Sequence, residues 1–318
     1  MRALLKGMTD AEFERQYGSE AQCFAALLAT RQAAGMACPD CANTRTYVSG
    51  RRIGCTRCNR RWSITSGTVM DSTKLPLVTW FRAMHAMTST KQGISAVELS
   101  RRLGVSYPTG WYLAKRLRHA MTQREGNYVL GGPDGTGGEP PVVEADDVYL
   151  GGERNQGSGP GGKTPVIAAA ERHESGRMGH VAMKVVGSFS SRAVKAFQEI
   201  CIAKGARVHT DGLRAFMTLA KDGGNHKRTI TGGKRPARER GTPFYVLNTA
   251  IANLSTALKA THKTISAKHA NDYLGAYCWT TNRRRDMTGM VPALSRAITN
   301  ATRLTRRTVY AAEAVSIG

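Results

Sequence analysis

Two C-x-x-C pairs, Cys38-Pro-Asp-Cys41 and Cys55-Thr-Arg-Cys58, constrain this chain more than any other feature in it. Each pair turns the backbone tightly enough to put two thiolates on one side of a metal, and two pairs close a tetrahedral four-sulfur site for zinc. The segment between them, residues 42–54, has the length and turn residues of a hairpin, as a zinc ribbon requires. Four thiolate ligands leave no coordination position for water, so such a site is structural and not catalytic. A redox C-x-x-C would need no second pair at this distance. Arg45, Arg51, Arg52, Arg57, Arg60 and Arg61 crowd around the ligands, and Tyr47 and Trp62 add flat apolar surface. Basic knuckles of this kind meet DNA phosphates, although a merely solvated basic face has the same composition. Cys23, Cys201 and Cys278 are scattered and read as small buried apolar residues.

The charge balance points the same way. The 318 residues carry 46 Lys and Arg against 23 Asp and Glu, a formal net charge of +23. An excess of that size speaks about partners and not about fold. Anionic membrane would call for a long apolar run or a strongly amphipathic basic helix, and neither is evident. The first twenty residues are interrupted by charge every few positions, unlike a secretory signal. Nucleic acid is the better partner, and a cytoplasmic, nucleoid-associated location follows.

Residues 1–72 read as an N-terminal helix and the ribbon. Residues 73–128 read as a helical DNA-binding region, in which Ile94–Leu103, the turn Gly104-Val105-Ser106 and a helix from Tyr107 to Met121 have the helix-turn-helix layout. Lys115, Arg116 and Arg118 are its candidates for phosphate or base edges, though many helical hairpins share the pattern. A Gly- and Pro-rich linker spans 129–142. After it come a strand bearing acids (VVEADD), two further strands, a helix, a strand ending in His209-Thr210-Asp211-Gly212, and helices near 248–262 and 268–281. The stretch 224–242 reads as a basic loop, and 291–318 as a basic tail. The loop Gly-Ser-Gly-Pro-Gly-Gly-Lys163 lacks the spacing of a P-loop and reads as a hairpin tip whose Arg154 and Lys163 touch DNA. His209, His226, His262 and His269 read as ordinary core or surface residues.

Asp146 and Asp211 each end a strand. Two such carboxylates brought together hold two divalent cations, which activate an oxygen nucleophile and stabilise the leaving oxygen. Taken singly, each Asp reads equally well as a turn residue, and Thr-Asp-Gly is an ordinary turn. The order of elements shifts the balance, because it matches the ribonuclease H-like fold, with acids on the first and fourth strands and a third ligand from a helix.

At this point the chain resembles the insertion-sequence transposases that join an N-terminal zinc ribbon to a DDE-type catalytic domain. The matching pieces are C-P-D-C…C-x-x-C…R-W-S-I-T-S-G-T-V-M at 38–70, V-E-A-D-D-V-Y-L-G-G at 143–152 and G-G-K-T-P-V-I-A-A-A-E-R at 161–172. They continue with H-T-D-G at 209–212, N-T-A-I-A-N-L at 248–254, K-H-A-N-D-Y-L at 268–274 and N-R-R-R at 282–285. The resemblance implies a multidomain α+β chain: zinc ribbon, helix-turn-helix, then a ribonuclease H-like α/β catalytic domain with a mixed sheet over 143–290. It implies Asp146 and Asp211 as catalytic acids binding two Mg²⁺ or Mn²⁺. The usual third Glu is missing, since residues 248–262 contain no acid. Some members of the family are similar to this chain in having Asn there, which makes Asn253 the first choice and Asn248 the second. Lys259 matches the family's cation for the terminal phosphate. The expected partners are double-stranded DNA (terminal inverted repeats and target) and a second copy of the chain, as a dimer on DNA. The expected activity is metal-dependent cleavage and strand transfer. The alternative is a DNA-binding regulator that has kept the ribbon and lost the chemistry.

Overall fold

The computed structural model describes residues 7–133, 138–151, 163–221, 225–230, 243–262 and 265–311, and divides into two compact units. The first comprises 1–123 and 283–310, the second 124–282 together with 311–318.

The first unit opens with α1 (Asp10–Tyr17) and α2 (Glu20–Ala33), split at Gly18. Each begins with a reciprocal cap, Thr9 with Glu12 and Ser19 with Gln22, which satisfies the orphan N–H groups of the first turn. Three short antiparallel strands follow, β1 (Thr46–Ser49), β2 (Arg52–Cys55) and β3 (Arg61–Ser63), in the order β1-β2-β3. Helix α3 (Leu77–Thr88) buries Trp80, Phe81 and Met84. Its N-cap, Pro76, has no side chain to offer, and the Glu20 carboxylate of α2 accepts the Leu77 and Val78 N–H groups instead, both at 3.1 Å. Helix α4 (Ala96–Leu103) starts at a Ser95 cap and stops at Gly104, whose φ of +64° suits glycine. Helix α5 (Tyr107–Glu125) follows at once.

In the second unit the sheet strands are β4 (Val142–Leu150), β5 (Thr164–Arg172) and β6 (Met178–Val185), an antiparallel meander. Helix α6 (Ser191–Cys201) then returns the chain to β7 (Arg207–Thr210), which lies parallel to β4. A 3-10 turn (Arg214–Met217) and the short α7 (Thr218–Lys221) lead to β8 (Asn225–Arg228), parallel to β7. The strand order is β6-β5-β4-β7-β8, a five-stranded mixed sheet. Residues 225–228, expected within a basic loop, thus form an edge strand. Two helices complete the unit, α8 (Tyr245–Thr261) and α9 (Ala267–Asn282).

The run Val166–Ala170 is buried throughout, because β5 is covered on both faces. Ile167 and Ala169 pack with Val143, Ala145, Val208 and the Val194 and Phe197 stripe of α6. Val166, Ala168 and Ala170 pack on the opposite face with Leu247, Ala250 and Leu254 of α8 and Leu274 of α9. Period-two alternation therefore aims the even residues of β4, Glu144 and Asp146 among them, at the α8 face.

After α9 the chain re-enters the first unit. Residues 290–300 form α10 (Met290–Asn300), which packs on α2 and α3, followed by α11 (Arg306–Ala311). Met290, Val291, Leu294 and Ile298 are buried. The basic tail expected from 291 onward is in this part a core helix, because Met290, Val291, Leu294 and Ile298 recur at helical spacing and its one arginine, Arg296, stays exposed. Among the described residues no helix is long and apolar enough to cross a membrane.

Candidate active site and metal centres

The four cysteines of the two C-x-x-C pairs converge beside the β1–β3 sheet. Sγ atoms stand 3.6 Å apart for Cys38–Cys58, 3.6 Å for Cys41–Cys55 and 3.5 Å for Cys41–Cys58. A disulfide would require about 2 Å. A tetrahedron of sulfurs around zinc, with Zn–S about 2.3 Å, has edges of about 3.8 Å. The cluster therefore fits zinc far better than a disulfide. The knuckles are built alike. The residue after each second cysteine, Ala42 and Asn59, takes a positive φ, and its N–H donates to the carbonyl of the first cysteine. The Asn43 amide and the Arg57 N–H point at Cys55 Sγ, at 3.5 and 3.3 Å. These donors, Asn43 foremost, hold the Cys55 thiol down at about 6, so the thiolate is the resting form.

Arg51, Arg52, Arg57, Arg60 and Arg61 are all exposed around the cluster. Arg51 forms an ion pair with Glu20, and Arg60 one with Asp40 at 3.5 Å. The basic residues of α5 are placed otherwise. Lys115, Arg116 and Arg118 are 7%, 8% and 4% exposed. The Arg116 guanidinium donates to the carbonyls of Asp71 and Leu304 and to the Tyr112 hydroxyl, and lies over the Tyr112 ring. The expectation that these three side chains face DNA is therefore corrected: they are held inside, where a phosphate does not reach. The exposed arginines of the α4–α5 pair are Arg101, Arg102 and Arg124. Lys163 is half-buried just ahead of β5, and Arg154 lies outside the described residues.

The second cluster lies on the sheet. The β4–β7 register pairs Val143 with Val208, Glu144 with His209 and Ala145 with Thr210, which brings Asp211 level with Asp146. Carboxylate oxygens of Asp146, Asp147 and Asp211 come within 4.8 Å of one another. Asp146 Oδ1 accepts the Asp147 N–H at 2.9 Å, and Asp211 Oδ1 accepts the Leu213 N–H at 3.1 Å. Burial raises the Asp146 carboxyl to about 7, and the charges of Asp211 and Asp147 add to it. Asp147 is raised for the same reasons, burial first and then Asp211. Three carboxylates that cannot all ionise comfortably form a set that a divalent cation relieves. Asp147 is the member that reading strand ends overlooked, and its signal was plain: a second acid immediately after the first.

The geometry of α8 rests on another overlooked residue. The Phe244 N-cap sits in the left-handed region and offers no side-chain cap. The Glu144 carboxylate, wholly buried, accepts the Leu247 N–H at 3.2 Å and the Arg172 Nε–H at 2.7 Å. This ties the first turn of α8 to the strand two residues before Asp146. Asn248 follows directly and is half-buried, whereas Asn253 and Lys259 are exposed. At about 100° per residue, Asn248 and Lys259 share one stripe of α8, and Asn253 lies roughly 130° around from it. His209 and His226 bond Thr229 and Thr210 on the neighbouring strand segments, at 2.6 and 2.8 Å, in the ordinary structural role expected of them.

Residues 137–282 match the family described as the ISXO2-like transposase domain. The chain is also 24% identical over 287 residues to a protein of Halobacterium salinarum described as an uncharacterized protein in transposable element ISH50, covering 83% of this chain and 91% of that protein. Both findings support an insertion-sequence transposase, the family that the motifs resemble.

Proposed function

We propose, for a chain that carries an ISXO2-like transposase domain over residues 137–282, that it binds the ends of a mobile DNA element, cleaves there and joins the freed end to target DNA. The observation that carries this reading is the meeting of Asp146, Asp147 and Asp211 on adjacent parallel strands. A sheet ordered β6-β5-β4-β7-β8, with an antiparallel meander followed by two parallel strands, supports a ribonuclease H-like catalytic domain.

In this reading Asp146 and Asp211 hold two Mg²⁺ or Mn²⁺ ions, with Asp147 supplying the third carboxylate that α8 lacks. When bound, the ions supply an activated oxygen nucleophile and neutralise charge on the leaving oxygen. Water is the nucleophile in cleavage, and the freed 3′-hydroxyl is the nucleophile in joining. An Asn of α8 adds a neutral amide oxygen. Asn248 suits this better than Asn253, because it is half-buried beside the Glu144 tether and shares a stripe with Lys259. Lys259 then meets the phosphate at the end being cut. Cys38, Cys41, Cys55 and Cys58 hold a structural zinc, and the exposed Arg51, Arg52, Arg57, Arg60 and Arg61 beside it meet DNA phosphates. The α4–α5 pair serves as a helix-turn-helix through its exposed cations. Two element ends require two active sites, hence a dimer on DNA.

The test is Mg²⁺-dependent strand transfer with a pre-cleaved element end. Asp146→Ala and Asp211→Ala abolish joined product while duplex binding stays intact, and Asn248→Ala lowers it far more than Asn253→Ala. Product formed by Asp146→Ala would sink the assignment. Binding without any transfer by the unaltered chain would favour the non-catalytic regulator.

A further inference from the structure

We propose that an open cavity on the α8 face of the sheet, near the start of β4 and β7, binds a phosphodiester of the DNA strand that reaches the acidic cluster. The anion site stands on its own geometry, and the identity of the polymer rests on the transposase reading. The cavity has a volume of about 390 Å³, within the usual range for small-ligand sites. Arg172, Arg207, His209, Asn225 and Lys227 line it. Topology builds this set. Parallel pairing of β7 with β8 sets Arg207 opposite Asn225 and His209 opposite Lys227, so period two aims all four side chains at one face. Arg172 joins them from the end of β5, and Pro243, just ahead of α8, closes one side.

The polar groups are spent unequally. Arg172 gives its Nε–H to Glu144, and Arg207 is oriented by Glu139 at 2.8 Å and the Pro140 carbonyl at 2.7 Å. Lys227 is exposed, and neither it nor Asn225 has a side-chain partner among the described residues. Three cations against two carboxylates, one of them wholly buried, leave the lining positive. His209 registers that field: burial, then Lys227 and Arg172, hold its imidazole below the usual range. The cavity begins at Val142, four residues before Asp146 on the same strand, about 13 Å away at 3.3 Å per residue. A strand with one phosphate at the acidic cluster has another within reach of Lys227.

The experiment uses the full chain without added Mg²⁺ or Mn²⁺, where no cutting occurs, and follows binding of a fluorescent element-end duplex across a salt series. Lys227→Glu is expected to weaken binding about fivefold at moderate salt and to lower the slope of log K against log salt by about 1. Lys227→Arg should keep both, and Lys227→Ala should fall between. Strand transfer that survives Asp146→Ala counts against the transposase reading alone, because the salt slope of Lys227→Glu is read where no cutting occurs. An unchanged slope in Lys227→Glu overturns the site. So does a result in which only the thermal shift caused by inorganic phosphate responds to Lys227→Glu, since the occupant is then a free anion and not a strand.

Discussion

The most informative single residue is Asp146, because its burial beside two other acids works against folding when no cation is present. An unfolded Asp titrates near 3.9, and here the folded carboxyl is raised to about 7. Between those values the folded state holds the extra proton. The contribution of this carboxyl to stability is therefore full below about pH 4 and is lost as pH rises through 7. Without added Mg²⁺, Asp146→Asn should match the unaltered chain at pH 4 and exceed it at pH 8 by about 2–4 kcal/mol in urea unfolding. Mg²⁺ should narrow that gap at pH 8 and do nothing at pH 4, where the carboxyl is neutral. A gap independent of pH would show that the carboxylates do not repel as described. At the other cluster, Cys55 is the thiol most ready to bind as thiolate. Cys55→Ser should empty the four-sulfur site, read as loss of zinc by metal analysis of the purified protein.

Among elements, two of the helices that begin without a side-chain cap are capped from a distance. Pro76 precedes α3 and Phe244 precedes α8, and neither side chain accepts a hydrogen bond. In each case a carboxylate distant in sequence, Glu20 or Glu144, takes the orphan N–H groups. Capping from afar has a functional edge at α8, since it sets the helix against the acid-bearing strand. Glu144→Ala strands the buried Leu247 N–H and leaves Arg172 without its partner. It should cost about 2–4 kcal/mol by thermal or urea unfolding. Glu144→Gln keeps an oxygen for Leu247 and should cost less. Equal losses in the two variants would mean that the ion pair with Arg172, and not the cap, carries the effect. Caps of this kind explain why the start of α8 read from sequence fell at 248 and not at Tyr245: the stop-and-start residues that mark helices locally are absent. The bodies of α8 and α9 and the four sheet strands other than β8 followed their periodicities. β8 escaped because its four residues, Asn-His-Lys-Arg, carry no apolar alternation at a sheet edge.

For the molecule as a whole, the chain leaves its first unit at 123 and comes back to it at 283. Helix α10 buries Met290, Val291, Leu294 and Ile298, at about 1.5–3 kcal/mol each for full burial. Ending the chain after Asn282 should therefore unfold the first unit or make it highly protease-sensitive, with residues 7–123 degraded in limited proteolysis. A solvated tail would be removed without effect. The large positive charge, +23 overall, adds nothing to this packing, and its consequence is a steep salt dependence of DNA binding.

What the amino-acid order settled alone were features written in short spacings. Two C-x-x-C pairs predict four converging sulfurs, alternation and turns predict most strands of the sheet, and two aspartates on strand segments predict where acids gather, although Asp146 lies in the middle of β4 and not at its end. Each depends on contacts between near neighbours or on a fixed period. Tertiary structure decided the rest: that Lys115, Arg116 and Arg118 turn inward, that Asp147 joins the acidic set, that Glu144 anchors α8, and that residues 290–300 at the head of the basic tail form a core helix. Those outcomes depend on partners scores of residues away, which leave no periodic trace. A cation on a helix looks the same in sequence whether water or a distant carbonyl receives it.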